Sequence, residues 1–155
     1  MAQEFRKRQE EEELIKRYEE TLKHNQHEFF DIESFETIIG YYLEKSKFKR
    51  ALVVVEQAID QYPFSTELLT VKAQIFTNLE RFDEALELLE RSRNLHPNDL
   101  EIHLSIGSIL SLQGKYEDAI ALYEETLAFA DEEQDEIYYN IGLAYQSMEK
   151  YEQAI

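Results

Sequence analysis

Apolar residues recur every three or four positions along most of the chain of 155 residues. This spacing is that of amphipathic helices. It predicts helices over about residues 3–24, 33–45, 48–61, 66–79, 82–95, 100–113, 116–129 and 135–148. A further helix is expected to begin near Tyr151, after a turn. The pattern therefore predicts an all-α fold.

A short motif recurs within this pattern. It consists of a basic residue, an aromatic residue, two polar residues and an alanine. The four alanines, which are separated by 34, 34 and 35 residues, are Ala51, Ala85, Ala119 and Ala154. Pro63 and Pro97, also 34 residues apart, follow the first two units, where proline can end a helix. This regularity indicates an internal structural repeat.

The repeat resembles the tetratricopeptide repeat, a 34-residue helix–turn–helix with the pattern W-x-x-L-G-x-x-Y, then A-x-x-x-F, then P. The tryptophan position holds Phe35, Leu69, His103 and Tyr138, and the glycine position holds Ile39, Ala73, Gly107 and Gly142. The tyrosine position holds Tyr42, Phe76, Leu110 and Tyr145, and the later aromatic position holds Val55, Leu89 and Tyr123. The resemblance implies a right-handed superhelical solenoid of antiparallel helix pairs, with repeats at about 32–65, 66–99, 100–134 and a partial one at 135–155.

Several packing expectations follow from the repeat. Gly107 and Gly142 are interpreted as packing glycines, because a small residue lets the two helices of a pair approach closely. His103 is expected to pack in place of an aromatic residue. Lys72 is expected to bury its methylene stem and keep its amine in water. Asn98, with Glu101 three residues later, resembles a capping box at the start of a helix.

The two ends of the chain give different expectations. Residues 1–31 are predicted to form a capping helix and a linker, because Tyr18–Leu22 is identical in sequence to Tyr123–Leu127 of a repeat helix. A solvated, charged helix is the alternative. At the other end, the sequence stops soon after Tyr151, so we expect it to be the N-terminal piece of a longer protein. The first helix of the partial fourth repeat should then expose Tyr139 and Leu143 on the side that its missing partner helix would cover, and this exposed side should promote self-association or fraying.

Charge narrows the classes of partner. The formal net charge is −17, and a field of that sign repels phosphate backbones, which argues against nucleic-acid binding. Residues 100–155 hold 12 acidic and two basic residues. Cysteine is absent, and we identify no signal peptide and no apolar run that would span a bilayer. The sequence is therefore expected to be an acidic, cytoplasmic protein without membrane attachment.

Catalytic and metal-binding patterns are weak. His24 and His27 lie near Glu20 and Glu28, but this group falls where the first helix should end, and solvated polar residues are the better interpretation. The carboxylate runs do not place two acids in contrasting environments, as acid–base catalysis requires. No phosphate-binding loop, dinucleotide motif or nucleophile elbow occurs. We therefore expect no metal site, no cofactor and no enzymatic activity.

The resemblance implies a concave groove lined by the first helix of each pair. Family geometry places the second residue of each unit there, and this residue is acidic in all four units: Glu33, Glu67, Glu101 and Glu136. The deeper positions hold Leu104, Ser108, Tyr139 and Leu143. Carboxylates also stabilise the first turn of a helix, so helix stabilisation is an alternative reason for the glutamates.

Members of the family that bind the acidic tails of heat-shock chaperones use lysine, arginine and asparagine in this groove. Here Asn140 is the single residue of matching type, and no basic residue accompanies it. The expected partner is a protein or peptide segment that is basic or mixed basic–apolar. The predicted function is a protein-interaction scaffold; the alternative is a regulatory or assembly module of a larger signalling protein or enzyme.

Overall fold

The computed structural model describes residues 1–155 and contains α-helices without strands. The helices are α1 (Ala2–Lys23), α2 (Ile32–Glu44), α3 (Phe48–Gln61), α4 (Thr66–Asn78), α5 (Phe82–Leu95), α6 (Leu100–Leu112), α7 (Tyr116–Thr126) and α8 (Gln134–Ala154). The prediction of an all-α fold is confirmed. Helix α7 ends three residues before the predicted boundary. None of the helices is both long enough and apolar enough to cross a membrane.

The same tight turn follows α2, α4 and α6. One residue in each turn has a positive φ: Ser46 at 54°, Glu80 at 57° and Gly114 at 75°. The next residue's N–H then donates to the carbonyl oxygen five positions back, at 2.8 Å in all three turns: Lys47 to Tyr42, Arg81 to Phe76 and Lys115 to Leu110. These bonds occupy carbonyl groups that a helix end leaves unpaired. The basic residue of the sequence motif therefore marks the start of each second helix.

The predicted turn near Tyr151 is wrong. Helix α8 continues without interruption from Gln134 to Ala154, and no residue near Lys150 has a positive φ. A left-handed conformation costs a residue other than glycine roughly 1–2 kcal/mol. In the earlier turns, packing of the following helix offsets this cost. Only five residues follow Lys150 in this sequence, and continuing the helix is the more stable choice for them.

The chain forms two compact units, and the first spans Met1–Ile75. Its core contains Phe35, Ile38 and Tyr42 of α2, with Tyr18 of α1. The Tyr18 hydroxyl donates to Oε1 of Gln57 in α3 at 2.7 Å. Helix α1 thus buries one stripe against the first helix pair and leaves its other faces in solvent, as expected of a capping helix.

Lys72 meets the expectation for its stem and adds an ion pair at its amine. Its side chain is largely buried, and its Nζ lies 3.3 Å from Oε1 of Glu56, a neighbour within the first unit. The amine therefore forms an ion pair and is not simply hydrated.

The second unit spans Phe76–Ile155. Here α7 lies between α6 and α8, and Ala119, Tyr123, Ala130 and Ile137 form a buried cluster. The cap that begins α6 is Asp99, whose carboxylate accepts from the Ile102 N–H at 3.2 Å. The predicted capping box at Asn98 is therefore wrong by one residue. Both side chains can cap a helix, so residue type alone did not separate them.

Candidate peptide-binding surface

Exposed glutamates occupy the first turn of the first helix of each pair. Glu33 and Glu67 lie at the starts of α2 and α4, and Glu101 lies at the start of α6. Glu136 is two residues into α8. All four side chains are exposed. The predicted acidic positions therefore face solvent within each unit.

The residues that cap α2 and α6 show whether these glutamates are needed to begin the helices. Asp31 caps α2 by accepting from the Ser34 N–H at 2.7 Å, and this hydrogen bond holds the pKa of Asp31 below its ordinary value. Asp99 has the corresponding role at α6. Glu33 and Glu101 are therefore not needed as caps. Their carboxylates, and that of Glu136, form no salt bridge within the chain. Favourable interaction with the helix dipole is a second reason for their presence, compatible with the first.

An apolar area lies beside the acids on α6 and α8. Leu104 is half-buried against the cluster that contains Ile137 of α8. Tyr139 and Leu143 are 66% and 42% exposed. Leu112, which the sequence analysis did not select, is 63% exposed. Leu112 lies eight residues, or two steps of four, beyond Leu104, so both side chains are on one side of α6. This periodicity was the signal in the sequence that could have identified Leu112.

Ser108 also lies on this side of α6 and is exposed. It has a structural contact as well, because its hydroxyl hydrogen-bonds with the Tyr123 hydroxyl, as does that of Ser111. Burial raises the pKa of Tyr123, and these two hydrogen bonds act against that increase. Ser108 therefore helps to hold Tyr123 and lies at the edge of the surface.

Gly107 and Gly142 differ although they occupy the same repeat position. A Cβ atom at Gly107 would overlap the ring of Tyr123, which lies across this glycine. The packing prediction is confirmed there. At Gly142 a Cβ would meet no atom within 4 Å, so the packing prediction is wrong for this residue. The face of α8 that corresponds to the covered face of α6 carries Tyr138, Gly142 and Tyr145, and no helix of the chain lies on it. Tyr139 and Leu143, which the sequence analysis assigned to that face, belong to the neighbouring one.

One histidine, His103, is buried among polar and aromatic neighbours, whereas His24 and His27 lie in solvent. His103 is 1% exposed, as expected for a residue at the tryptophan position of the repeat. Its Nε2 lies 2.7 Å from the Pro97 carbonyl oxygen, and its Nδ1 lies 3.3 Å from Oγ1 of Thr126. The ring also packs edge-on against Phe129. His24 and His27 are exposed.

Two family models, both described as tetratricopeptide repeat, match residues 65–132 and residues 135–155. The chain belongs to the tetratricopeptide-repeat family. The family resemblance inferred from the repeat positions is thereby confirmed, and scaffolds of this family generally have no enzymatic activity.

Curated relatives are much longer than this chain. The BBSome complex member BBS4 of Bos taurus is 27% identical over 114 residues, which cover 74% of this chain and 22% of the relative. The general transcriptional corepressor trfA of Dictyostelium discoideum is 25% identical over 116 residues, covering 74% of this chain and 8% of the relative. The chain thus spans less than a quarter of the length of these relatives.

Solved structures share the fold at low identity. A crystal structure of the MamA protein matches with a TM-score of 0.71 and 18% identity, covering 99% of this chain and 82% of that one. The TPR2B domain of yeast Sti1, in a complex with pHsp70, matches with a TM-score of 0.65 and 17% identity, covering 74% of this chain and 95% of that one. These similarities support the assignment as an all-α tetratricopeptide fold.

Proposed function

We propose that the chain is a non-enzymatic scaffold that binds a basic or mixed basic–apolar segment of another protein on the first helices of its repeats. The observation that carries the proposal is the combination of Glu101 and Glu136 with Leu104, Tyr139 and Leu143 in the second unit. Exposed carboxylates without an internal partner attract a cationic ligand, and the neighbouring apolar side chains can lose water on contact. Glu33 and Glu67 offer the same charge in the first unit.

Charge also argues against an acidic ligand. The second unit contains 18 acidic and five basic residues, so its formal charge is −13. A peptide rich in carboxylates would approach against this field. The Sti1 domain, which shares the fold, is described in complex with pHsp70, but fold similarity at this identity does not transfer a ligand. The electrostatics of this chain favour the opposite class of peptide.

Titration with labelled peptides tests the proposal. We expect a peptide with alternating lysine and leucine residues to bind and an acidic chaperone-tail peptide not to bind, as measured by fluorescence anisotropy. Binding should weaken as salt rises, because exposed charges are screened over about 8–10 Å near physiological ionic strength. Glu101→Lys with Glu136→Lys should weaken binding. The matched control, Glu117→Lys with Glu132→Lys, makes the same charge change at exposed positions outside the surface and should retain most of it. Tight binding of the acidic tail would overturn the proposal.

We propose two further properties that accompany this function. The uncovered face of α8 exposes Tyr138 and Tyr145 by 58% and 50%, and contiguous exposed apolar area favours self-association at high concentration. Cytoplasmic location is the second, in agreement with the absence of cysteine. A role as a regulatory or assembly module within a larger protein is compatible with the same surface, which would then bind a segment of its own polypeptide.

A further inference from the structure

We propose that the uncovered face of α8 binds a second copy of this chain through the basic turn between α2 and α3. The basic turn comprises Lys45, Lys47, Lys49 and Arg50. The proposed contact rests on the self-association proposed above and gives it a specific second surface. It joins the first unit of one copy to the second unit of another, and it uses a different face of α8 from the one assigned to the peptide.

The uncovered face of α8 is aromatic along one part and acidic along the next. After Tyr138, Gly142 and Tyr145, the same spacing of three and four residues continues to Glu149 and Glu152, and residues at this spacing share one side of a helix. Both acids are exposed, and neither forms a salt bridge within the chain. The face therefore combines aromatic rings with carboxylates, and both groups attract lysine and arginine side chains.

A cleft extends the acidic end of this face. Glu152 lines a cleft of about 280 Å³ between the end of α8 and the start of α7, together with Tyr116 of α7. The other charged residues that line it are Lys115, Glu117 and Asp118, so acids outnumber bases by three to one. A long basic side chain can place its apolar stem against a ring there and its charge beside the carboxylates.

The basic turn differs in charge from the two equivalent turns of the chain. The second and third residues of the helix that follows are acidic in α5 and α7 but basic in α3: Asp83 and Glu84, Glu117 and Asp118, and Lys49 and Arg50. Acids in the first turn interact favourably with the positive end of the helix dipole, whereas bases there do not. The bases at the start of α3 therefore oppose local stability, and such a conflict indicates a functional role when nothing in the chain compensates for it.

No carboxylate of the chain compensates for these charges. All four bases of the basic turn are exposed, and none forms a salt bridge. No acidic residue occurs between Lys45 and Val55. The run from Arg6 to Arg8 is different, because Glu10–Glu13 follow it at the spacing that lets opposite charges pair along a helix. The basic turn is thus a concentrated positive surface in a chain whose net charge is −17.

The charges also favour a contact between two different surfaces. In a two-fold contact the same surface of both copies meets itself. The uncovered face has no basic residue to pair with Glu149 and Glu152, so such a contact would remove these carboxylates from water without a cationic partner. The basic turn supplies four cations. A second copy can therefore satisfy both surfaces, and the contact is heterologous.

Sedimentation velocity of charge-reversed variants tests the contact. Lys49→Glu with Arg50→Glu should raise the dissociation constant of self-association about tenfold or more, because attraction becomes repulsion. The variant should stay folded, since it gives α3 the acidic start that α5 and α7 have. Arg6→Glu with Lys7→Glu is the matched control, because it makes the same charge change at exposed residues of the same unit. The control should associate as the unchanged protein does, and an equal loss in the control would overturn the proposal.

A mixture of two variants tests whether the contact is heterologous. Glu149→Lys with Glu152→Lys should also weaken self-association. When this variant is mixed with the Lys49→Glu, Arg50→Glu variant, association should return, because opposite charges face each other again in both contacts between the two proteins. It should weaken as salt rises, since exposed charges are screened.

The outcomes separate this contact from the proposals on which it rests. If the Lys49→Glu, Arg50→Glu variant associates as strongly as the unchanged protein, or if the mixture stays monomeric, the basic turn is not the second surface and the inference is overturned. If the unchanged protein is monomeric at all concentrations, the proposed self-association fails with it. Peptide binding is measured on the other face of α8, so the scaffold proposal stands or falls independently.

Discussion

Helices α6 and α8 have the same repeat pattern but different surroundings. On α6, the ring of Tyr123 lies across Gly107, and His103 is buried beside it. On α8, the equivalent positions hold Gly142 and Tyr138, which are exposed. The opposite side of α8 is buried, because Ile137 is 0% exposed and Ala144 is 3% exposed. Within the second unit, a first helix therefore has one face that packs on the helices before it and, in α6, a second face that its own second helix covers.

This difference shows that the repeat sequence specifies contacts that are completed only by a neighbouring helix. The fourth unit matches the family pattern well, with Tyr138, Gly142 and Tyr145 at the expected positions. The residues nevertheless remain in solvent, because a repeat buries its apolar faces only against its neighbours. A pattern match thus identifies the role of a residue in a complete repeat, and the local structure determines whether that role is fulfilled.

Replacing Gly107 of α6 or Gly142 of α8 by leucine should give the largest difference in stability between equivalent variants of the two helices. Gly107→Leu forces a side chain into the position of the buried Tyr123 ring and should lower the free energy of unfolding by about 1–3 kcal/mol or more. Gly142→Leu enters open space and should be neutral or slightly stabilising, since leucine has the higher helix propensity. Urea melts of the two variants measure both effects. Equal losses would contradict the proposed packing of Tyr123.

The stability of α8 should be lower than that of α6. Amide protection depends on burial of the surrounding side chains, so residues 145–154 should exchange faster than residues 102–110. Amide exchange followed by mass spectrometry can make this comparison at a low protein concentration. At high concentration, sedimentation should detect self-association through the uncovered face. A strictly monomeric protein with equal protection in both helices would contradict the distinction between them.

Alkaline pH should destabilise the folded protein, because several of its tyrosines are buried. Burial raises the pKa of Tyr18 to about 12 and also raises the pKa of Tyr42 and Tyr123. Between pH 10 and pH 12 the unfolded chain therefore loses tyrosine protons that the folded chain retains, and stability falls as pH rises. Urea midpoints should be lower at pH 11 than at pH 9. Tyr123→Phe should reduce this dependence, because phenylalanine cannot ionise, whereas a change unaffected by Tyr18→Phe and Tyr123→Phe would contradict it.

The smallest effect is expected on the charged surface of α1. Glu12 is exposed and has no salt bridge. Glu12→Ala should therefore change the free energy of unfolding by less than about 0.5 kcal/mol. The measurement is the same urea melt used for the glycine variants. A loss as large as that of Gly107→Leu would show that α1 buries this side chain.

The sequence was sufficient to predict the regular parts of the fold. The 34-residue period placed Ala51, Ala85 and Ala119 correctly in the core, where each is fully buried. Local pattern could not predict features that depend on a neighbour, which explains the errors at Gly142 and at Tyr151. It also missed Leu112, because its spacing of eight residues from Leu104 becomes informative only once the solvent side of α6 is known. The glutamate positions were predicted, but their binding role stays a prediction.

The location of a bound basic peptide tests the central claim most directly. In two-dimensional NMR of the labelled protein, titration with the peptide of alternating lysine and leucine residues should shift resonances of Glu101, Leu104, Tyr139 and Leu143, all on one side of α6 and α8. Resonances of Tyr138, Gly142 and Tyr145 on the other face of α8 should move little. Shifts confined to those three residues, or spread over the acidic surface of the whole chain, would contradict the proposed site.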